Sequence, residues 1–258
     1  MRKDMIDQED LRLLLRHYES NYYFIDDIPD YQGRKASIAD ACQISIDDLN
    51  TWLKQNCPQD GYTKVYKSIR SKVVIQIRML MDGLMLVSFP AIDRDAVDLC
   101  IDAITRMKPR NIVLDLRHCC GGDLESAVDL AACFVDGEVC HCDFRSKDCR
   151  FFGKASLPTE RLFVLVGSMT MSSAEMLALS LHANRDDCTV IGSRTLGKDM
   201  GQTVIRFGAD RGMTFSMTSF RWDVYGTGPS WFSDIGRLSG TIKCESDDHL
   251  THVMDAMR

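Results

Sequence analysis

An α/β fold with a buried sheet is what this sequence predicts, because short apolar strand patterns alternate with longer amphipathic helix patterns. The predicted strands cover 111–116, 162–167 and 189–192, and the predicted helices around them cover 95–107, 124–134 and 172–181. Continuous apolar runs of this length are typical of strands covered by helices on both faces. In such sheets, catalytic and binding residues lie in the loops that follow the strands.

The first seventy residues carry a different, helical pattern. Leucines recur at helical spacing within 7–22, and a second helical unit covers 36–55. The second unit has the spacing of a helix-turn-helix, but Asp47 and Asp48 stand where a DNA-binding helix needs basic residues. We therefore expect a plain helical hairpin there.

Strand patterns flank the α/β part and dominate the chain after residue 202. The predictions are strands 73–77 and 84–89 with a turn at 81–83, strands 203–207 and 213–220 with a turn at 210–212, and a closing helix at 249–257. We divide the chain into an N-terminal helical region, 1–70, and an α/β core, 71–258, whose C-terminal part is rich in β-strand.

Composition excludes several classes of function. The chain has 258 residues and a formal net charge of −6, so there is no electrostatic basis for nucleic-acid binding. No apolar run approaches the roughly 20 residues that a membrane-spanning helix needs. The first twenty residues lack the apolar centre of a secretory signal, so we expect a cytoplasmic protein that does not bind membranes.

The chain contains eleven cysteines, which raises the question of disulfides or a metal site. Six of them lie between 119 and 149, near His118 and His141. The cluster contains no C-x-x-C pair, and the adjacent Cys119 and Cys120 are poorly spaced for tetrahedral zinc. We expect reduced thiols that pack as small apolar residues, and no metal.

Three segments carry the residue types of a catalytic site. The first, DLRHCCGG, starts at Asp115 and leaves a buried strand through Gly121 and Gly122. Paired glycines before a helix let backbone N–H groups approach a ligand, which is the requirement for an oxyanion hole. A tight turn that only needs positive φ explains the same residues equally well.

The second segment, TMSSAE, places Ser172 and Ser173 at the start of a predicted helix after a strand. Serines at helix starts are usually N-caps. A serine in such a turn also exposes its hydroxyl beside free backbone N–H groups, as a nucleophile requires.

The third segment, TLGKDMGQ, places Lys198 directly after Gly197. A surface lysine is the ordinary interpretation, but a desolvated lysine can be neutral near pH 7 and serve as a base. His182 is the competing base, and it lies ten residues after Ser172 on the same predicted helix, about 15 Å away at 1.5 Å per residue.

These three segments, in this order, resemble the signature of the C-terminal processing (tail-specific) serine peptidases. That family has a D-L-R-x-N-x-G-G turn, a T-A-S-A-S-E nucleophile helix and a T-x-G-K-G-x-x-Q segment with the lysine. The resemblance implies a crotonase/ClpP-like layered α/β core, with Ser172 as nucleophile and Lys198 as base. It also implies that Gln202 orients the lysine and that Gly121 or Gly122, together with Ser173, provides the oxyanion hole.

Two departures from the family pattern bear on activity. Most members insert a PDZ domain after a D-P-Y-T stretch, which is similar to 60–63 here. Only about ten residues follow before the strand predicted at 73–77, too few for a domain of about a hundred residues. The glycine after the family's lysine is replaced by Asp199. A nearby negative charge raises the pKa of a lysine, so this acid could slow a lysine base.

The function predicted on this basis is a serine endopeptidase that cleaves peptides or unstructured protein tails without a cofactor. The sequence is compatible with a homo-oligomer. One alternative is a catalytically weak or inactive peptide-binding or scaffold protein on the same fold. Another is an acyl-thioester enzyme, since crotonase-like proteins also use paired backbone donors, but those enzymes do not need a Ser–Lys pair.

Overall fold

The structure is a computed structural model that describes residues 4–57, 60–68, 72–81, 83–208 and 212–258. It divides into two compact units. The smaller unit comprises Met1–Ser71, Asp143–Asp148 and Met200–Arg221, and the larger comprises Lys72–Cys142, Cys149–Asp199 and Trp222–Arg258. That 1–70 and 71–258 are separate domains stays a prediction.

The described part of the chain contains both helices and strands throughout its length. The α-helices are α1 (Gln8–Asn21), α2 (Tyr31–Ala39), α3 (Ile46–Asn56), α4 (Arg94–Met107), α5 (Leu124–Ala132), α6 (Ser173–Asn184) and α7 (His249–Ala256). The strands are β1 (Met5–Asp7), β2 (Gln43–Ser45), β3 (Lys64–Lys67), β4 (Gln76–Met81), β5 (Leu84–Ser88), β6 (Asn111–Asp115), β7 (Gly137–Phe144), β8 (Lys147–Gly153), β9 (Arg161–Val166), β10 (Cys188–Gly192), β11 (Met200–Phe207), β12 (Met213–Asp223) and β13 (Thr241–Lys243). None of the described helices is both long and apolar enough to cross a bilayer.

The smaller unit packs its helices around an aromatic core. Tyr18 of α1 stacks on Tyr22 with ring centroids 4.6 Å apart, and Trp52 of α3 meets Tyr18 edge-on at 6.0 Å. Strand β1 pairs with β2 antiparallel, and β12 lies between β11 and β3. The apolar face of α1 therefore forms the buried side that its leucine spacing predicts.

The larger unit is built on a six-stranded sheet in the order β13-β10-β9-β6-β5-β4. All neighbours are parallel except β4, which pairs antiparallel with β5 at one edge. Strands β5, β6 and β9 are buried almost completely, which explains their continuous apolar sequences. Because the carboxyl ends of parallel strands meet at one edge, the loops after β6, β9 and β10 lie side by side.

The predicted α/β fold class is confirmed, and most predicted elements match within a few residues. Two local predictions are wrong. The strand predicted at 73–77 is displaced to β4 (Gln76–Met81), and the helical hairpin predicted at 36–55 is interrupted by β2, which pairs with β1. The turns predicted at 81–83 and 210–212 include residues that lie outside the described ranges. Strands β3, β7, β8 and β13 had no counterpart in the prediction.

Candidate active site

The turn that leads into α6 holds Ser172 in an unusual backbone conformation. Ser172 has φ 57° and ψ −127°, a region that favours glycine and costs another residue of order 1–3 kcal/mol. The serine is half-buried and directly precedes the helix after strand β9. A sharp, strained strand-to-helix turn of this kind raises a nucleophilic hydroxyl above a sheet in other α/β enzymes.

The neighbouring hydroxyl has a different environment. Ser173 is only 3% exposed, and its Oγ has no hydrogen-bond partner among the described residues. Its backbone N–H, however, belongs to the first residue of α6 and has no acceptor within the helix. Ser172 is thus the accessible hydroxyl of the pair, and Ser173 offers a backbone donor.

The glycine turn after β6 lies against the Ser172 turn. A Cβ placed on Gly121, where φ is 77°, would lie 2.6 Å from the Met171 carbonyl oxygen, 3.1 Å from Ser172 Cβ and 3.2 Å from Ser173 N. The Gly121 backbone can approach the nucleophile turn this closely only because it carries no side chain. Gly122, at φ 152°, faces the other way, since a Cβ there would lie 2.0 Å from the Ile92 carbonyl oxygen.

Backbone hydrogen bonds fix the glycine turn on both sides. The Ile92 N–H donates to the Gly121 carbonyl at 2.9 Å, and the Met171 N–H donates to the Cys119 carbonyl at 3.3 Å. The second bond joins the glycine turn to the residue before Ser172. The backbone of both turns is therefore preorganised, as an oxyanion hole requires.

The carboxylate of Glu175 joins the TLGKDMGQ segment, which contains Lys198, to Ser172. Glu175, fully buried in α6, accepts hydrogen bonds from the N–H groups of Ser172 (2.8 Å), Gly197 (2.7 Å) and Lys198 (2.9 Å). The Thr195 hydroxyl donates to the same carboxylate. Burial raises the pKa of Glu175 above its ordinary value, although these four hydrogen bonds act in the opposite direction.

In the sequence, Glu175 is identifiable only as a position in the TMSSAE segment, and its connecting role depends on the fold. The signal was present in the sequence, because Glu175 is the one carboxylate in a helix, α6, whose residues are mostly apolar. A buried carboxylate requires several hydrogen-bond donors, and the loop of an adjacent strand is the nearest source.

Lys198 is held from its other side by Trp222. The Trp222 indole N–H donates to the Lys198 carbonyl at 3.1 Å, and its backbone N–H donates to the Asp199 carbonyl at 2.9 Å. Both Lys198 and Asp199 are half-buried. The lysine backbone is thereby fixed between a buried indole and a buried carboxylate.

Gln202 belongs to the smaller unit, unlike the other candidate residues. Its side-chain amide donates to the Met200 carbonyl and to Thr218 Oγ1, each at 3.2 Å. That Gln202 orients the lysine stays a prediction.

Asp115 and Arg117 support the glycine turn from the end of β6. Arg117 binds Asp115 through Nε and Nη2, each at 2.8 Å, and its Nη1 lies 3.3 Å from His249 Nδ1 at the start of α7. Burial opposes ionisation of Asp115, but the Arg117 hydrogen bonds outweigh it and keep the pKa of that carboxyl below its ordinary value. The first motif thus contains a permanently charged, bidentate pair.

The cysteine cluster takes the form of separate thiols. All eleven cysteines lie within the described residues and all are free. Burial raises the pKa of Cys119, beside the glycine turn, to about 12. No three histidine, cysteine or acidic side chains in the described ranges are arranged to hold a metal ion.

Comparison with known proteins gives the family. The sequence model of peptidase family S41 matches residues 84–224, more than half of the chain, including the glycine turn, Ser172 and Lys198. The carboxy-terminal processing protease CtpA of Bacillus subtilis (strain 168) is 30% identical over 126 residues, which cover 47% of this chain and 26% of that protein. The chain therefore spans about a quarter of that relative's length.

Two solved structures share the fold. The photosystem II D1 C-terminal processing protease superposes with a TM-score of 0.52 at 20% identity, covering 70% of this chain and 50% of that one. A lipoprotein from Streptococcus agalactiae superposes with a TM-score of 0.69 at 14% identity, covering 96% and 95%. The fold and the three ordered motifs agree with the match to the family model, and the chain belongs to peptidase family S41.

Proposed function

We propose that this chain is a serine peptidase of the C-terminal processing type, with Ser172 as nucleophile and Lys198 as base. One observation carries the proposal. The strained Ser172 turn lies against Gly121 on one side and shares the Glu175 carboxylate with the Lys198 backbone on the other. A helix cap needs neither the strain nor the connection to the lysine segment.

In the proposed reaction, the neutral Lys198 amine takes the proton of Ser172 Oγ as that oxygen attacks a peptide carbonyl carbon. The resulting oxyanion accepts hydrogen bonds from the Ser173 N–H and from a backbone N–H of the Gly121-Gly122 pair. When the tetrahedral intermediate collapses, the C–N bond breaks and the leaving amine receives the proton from Lys198. Water, deprotonated by Lys198, then hydrolyses the ester and restores Ser172.

The remaining parts of the proposal follow from this mechanism. Gln202 would position the lysine amine, and the reaction requires no metal or organic cofactor. The substrate would be a peptide or an unstructured protein tail in extended conformation. A cytoplasmic location and self-association stay predictions.

A non-catalytic peptide-binding protein is the second candidate, and Asp199 is the observation that favours it. The acid directly follows the proposed base and is, like it, half-buried. A negative charge there would favour the protonated lysine, which cannot act as a base. Such a protein would bind peptides at the same cleft without cleaving them.

Mass spectrometry of unstructured peptides incubated with the pure chain separates the two candidates. We expect cleavage by the wild type and a loss of about 10²–10⁴-fold in kcat/KM for Lys198→Ala, because general base catalysis supplies a factor of that size. Lys243→Ala, which removes an exposed lysine paired with Glu245, is the matched control and should cleave like the wild type. Peptide binding without any product from the wild type would establish the second candidate instead.

A further inference from the structure

A second feature of the larger unit lies beside the candidate active site. A pocket of about 310 Å³ opens at the carboxyl ends of β5 and β6. Its walls come from the edge strand β4 and from the loops after β5 and β6, with Arg78, Pro90, Arg117 and His118 among the lining residues. This volume accommodates one side chain or a chain terminus.

The strand register shows how the pocket is built. Gln76, Ser88 and Asp115 are direct neighbours across β4, β5 and β6, and all three line the pocket. Gln76 and Arg78 are two residues apart on β4, so they project from the same face of the sheet. Arg78 therefore lines the pocket from the edge strand, on the same face of the sheet as Gln76.

The pocket has more positively charged than negatively charged side chains in its lining. Asp115 is the only acidic residue that lines it among the described residues, and Arg117 already binds that carboxylate with two hydrogen bonds. Arg78 is exposed, and in the described part of the chain it has no hydrogen bond or ion pair with an acidic side chain. Among the described residues, the pocket thus offers to an incoming group a guanidinium that no acidic side chain pairs.

The pocket is close along the chain to the proposed oxyanion hole. The Cys120 N–H donates to the Pro90 carbonyl at 3.2 Å, and Gly121 is the next residue. His118, another pocket residue, is three residues before Gly121 and so lies at most about 11 Å from it along an extended chain. A substrate whose scissile carbonyl lies at Gly121 would reach the pocket with a residue about three or four positions away.

We propose that this pocket is a carboxylate-binding subsite for the peptide substrate, with Arg78 as the residue that determines specificity. The inference rests on the proposed peptidase function. A guanidinium matches a carboxylate in shape and charge, and the Arg117–Asp115 pair in the same pocket shows this geometry within the protein. The carboxylate is either the C-terminus of the tail or an acidic side chain near the scissile bond.

The test uses matched peptides and charge variants of Arg78. Each peptide is made with glutamate or glutamine within four residues of the scissile bond, and with a free or an amidated C-terminus. We expect the wild type to prefer the carboxylate-bearing peptide by at least about tenfold in kcat/KM, the size of one charge-assisted hydrogen bond. Loss of the preference on amidation identifies the C-terminus as the ligand, and loss on the glutamine exchange identifies the side chain.

Arg78→Gln should bring the ratio of kcat/KM for the carboxylate-bearing peptide to that for the neutral peptide close to one. Arg78→Glu should prefer a peptide that carries lysine at the same position over the carboxylate-bearing peptide. Arg237→Gln is the matched control, since Arg237 is exposed and precedes β13 at the opposite edge of the sheet, and it should keep the wild-type ratio. Thermal unfolding of each variant shows whether it is folded. Equal ratios in the wild type and folded Arg78→Gln would overturn the proposal.

Binding to Ser172→Ala, measured by fluorescence anisotropy with the same peptides, separates this inference from the proposed function. Tighter binding of the carboxylate peptide that disappears in Ser172→Ala/Arg78→Gln supports the subsite even if the wild type cleaves nothing. Cleavage by the wild type together with equal binding of all peptides leaves the peptidase function intact and overturns the subsite.

Discussion

Helices α5 and α6 begin in the same topological position, after parallel strands β6 and β9, yet their first turns are built differently. Asp123 before α5 has φ −68° and ψ 122°, and its carboxylate accepts a hydrogen bond from the Ser126 N–H at 2.9 Å. Ser172 before α6 has φ 57° and ψ −127°. The first is an ordinary N-cap with relaxed backbone, and the second is a strained turn.

The carboxylates of the two turns also differ in their hydrogen-bond partners. Among the described residues, the Asp123 carboxylate bonds only to Ser126 in its own helix start, whereas the Glu175 carboxylate accepts hydrogen bonds from Ser172 and also from Gly197 and Lys198. A strained backbone persists only when its surroundings hold it. The α5 turn therefore only caps its helix, whereas the α6 turn caps its helix through the Ser172–Glu175 hydrogen bond and also joins it to the Lys198 segment in a strained conformation.

The strongest test of this contrast exchanges the first residue of each turn for alanine. Ser172→Ala should lower turnover on the order of 10³-fold or more and leave the free energy of unfolding nearly unchanged, because a small hydroxyl adds little packing. Asp123→Ala should lower the free energy of unfolding by about 1 kcal/mol through the lost cap. Peptide cleavage and urea denaturation measure the two effects, and equal destabilisation by both substitutions would contradict the contrast.

A second test compares two glycines with similar positive φ, Gly121 and Gly197. Gly121→Ala should lower the free energy of unfolding by about 2–3 kcal/mol, because positive φ and a 2.6 Å approach to the Met171 carbonyl act together. Gly197→Ala, at φ 85°, should cost about 1 kcal/mol, because a Cβ added there has no described atom beyond its chain neighbours within 4 Å. Urea denaturation measures the free energy of unfolding of both variants. A similar decrease in the two would show that the close contact of Gly121 with the Met171 carbonyl does not matter for stability.

The buried carboxylate of the α6 turn should make stability depend on pH. Since the pKa of Glu175 is raised by burial, the folded chain binds this proton more tightly than the unfolded chain does. Its contribution to stability is therefore fully present below the ordinary value of 4.5 and decreases as pH rises through the folded pKa. Relative to Glu175→Gln, the wild type should lose stability as pH increases from 4.5. Parallel pH profiles from urea denaturation would rule this out.

The smallest expected effect is an increase in the free energy of unfolding. Ser172→Gly should raise the free energy of unfolding by about 0.5–1 kcal/mol, since glycine adopts positive φ without strain. Ser45→Gly, at the N-cap of α3 with φ −76° and a hydrogen bond from the Asp48 N–H, should instead lose a few tenths of a kcal/mol. Opposite signs in differential scanning calorimetry are the expected result, and a loss in both variants would show that the Ser172 turn is not strained.

The sequence was sufficient for elements with a strong period or a continuous apolar run, such as β6, β9, α4 and α6. It was insufficient for β7 and β8, where cysteine, histidine and charged residues replace the apolar alternation that signals a strand. Three-residue strands such as β2 and β13 carry almost no local signal and exist because a partner strand lies beside them.

The candidate site was predictable as three segments but not as an assembly. Motif spacing indicated Ser172, Lys198 and the two glycines, whereas the backbone strain at Ser172 depends on contacts between loops distant in sequence. The same holds for Glu175, because its four donors come from positions 172, 195, 197 and 198. A local pattern specifies residue types at a turn, and tertiary contacts determine their conformation.

Reaction with a fluorophosphonate, followed by tandem mass spectrometry, tests the central claim most directly, because the probe bonds covalently only to an activated nucleophile. Fragmentation distinguishes the adjacent Ser172 and Ser173. We expect one adduct on Ser172 of the wild type, retained in Ser173→Ala, absent in Ser172→Ala and strongly slowed in Lys198→Ala. An adduct on Ser173, or labelling that proceeds at the wild-type rate without Lys198, would contradict the assignment of a Ser172–Lys198 pair.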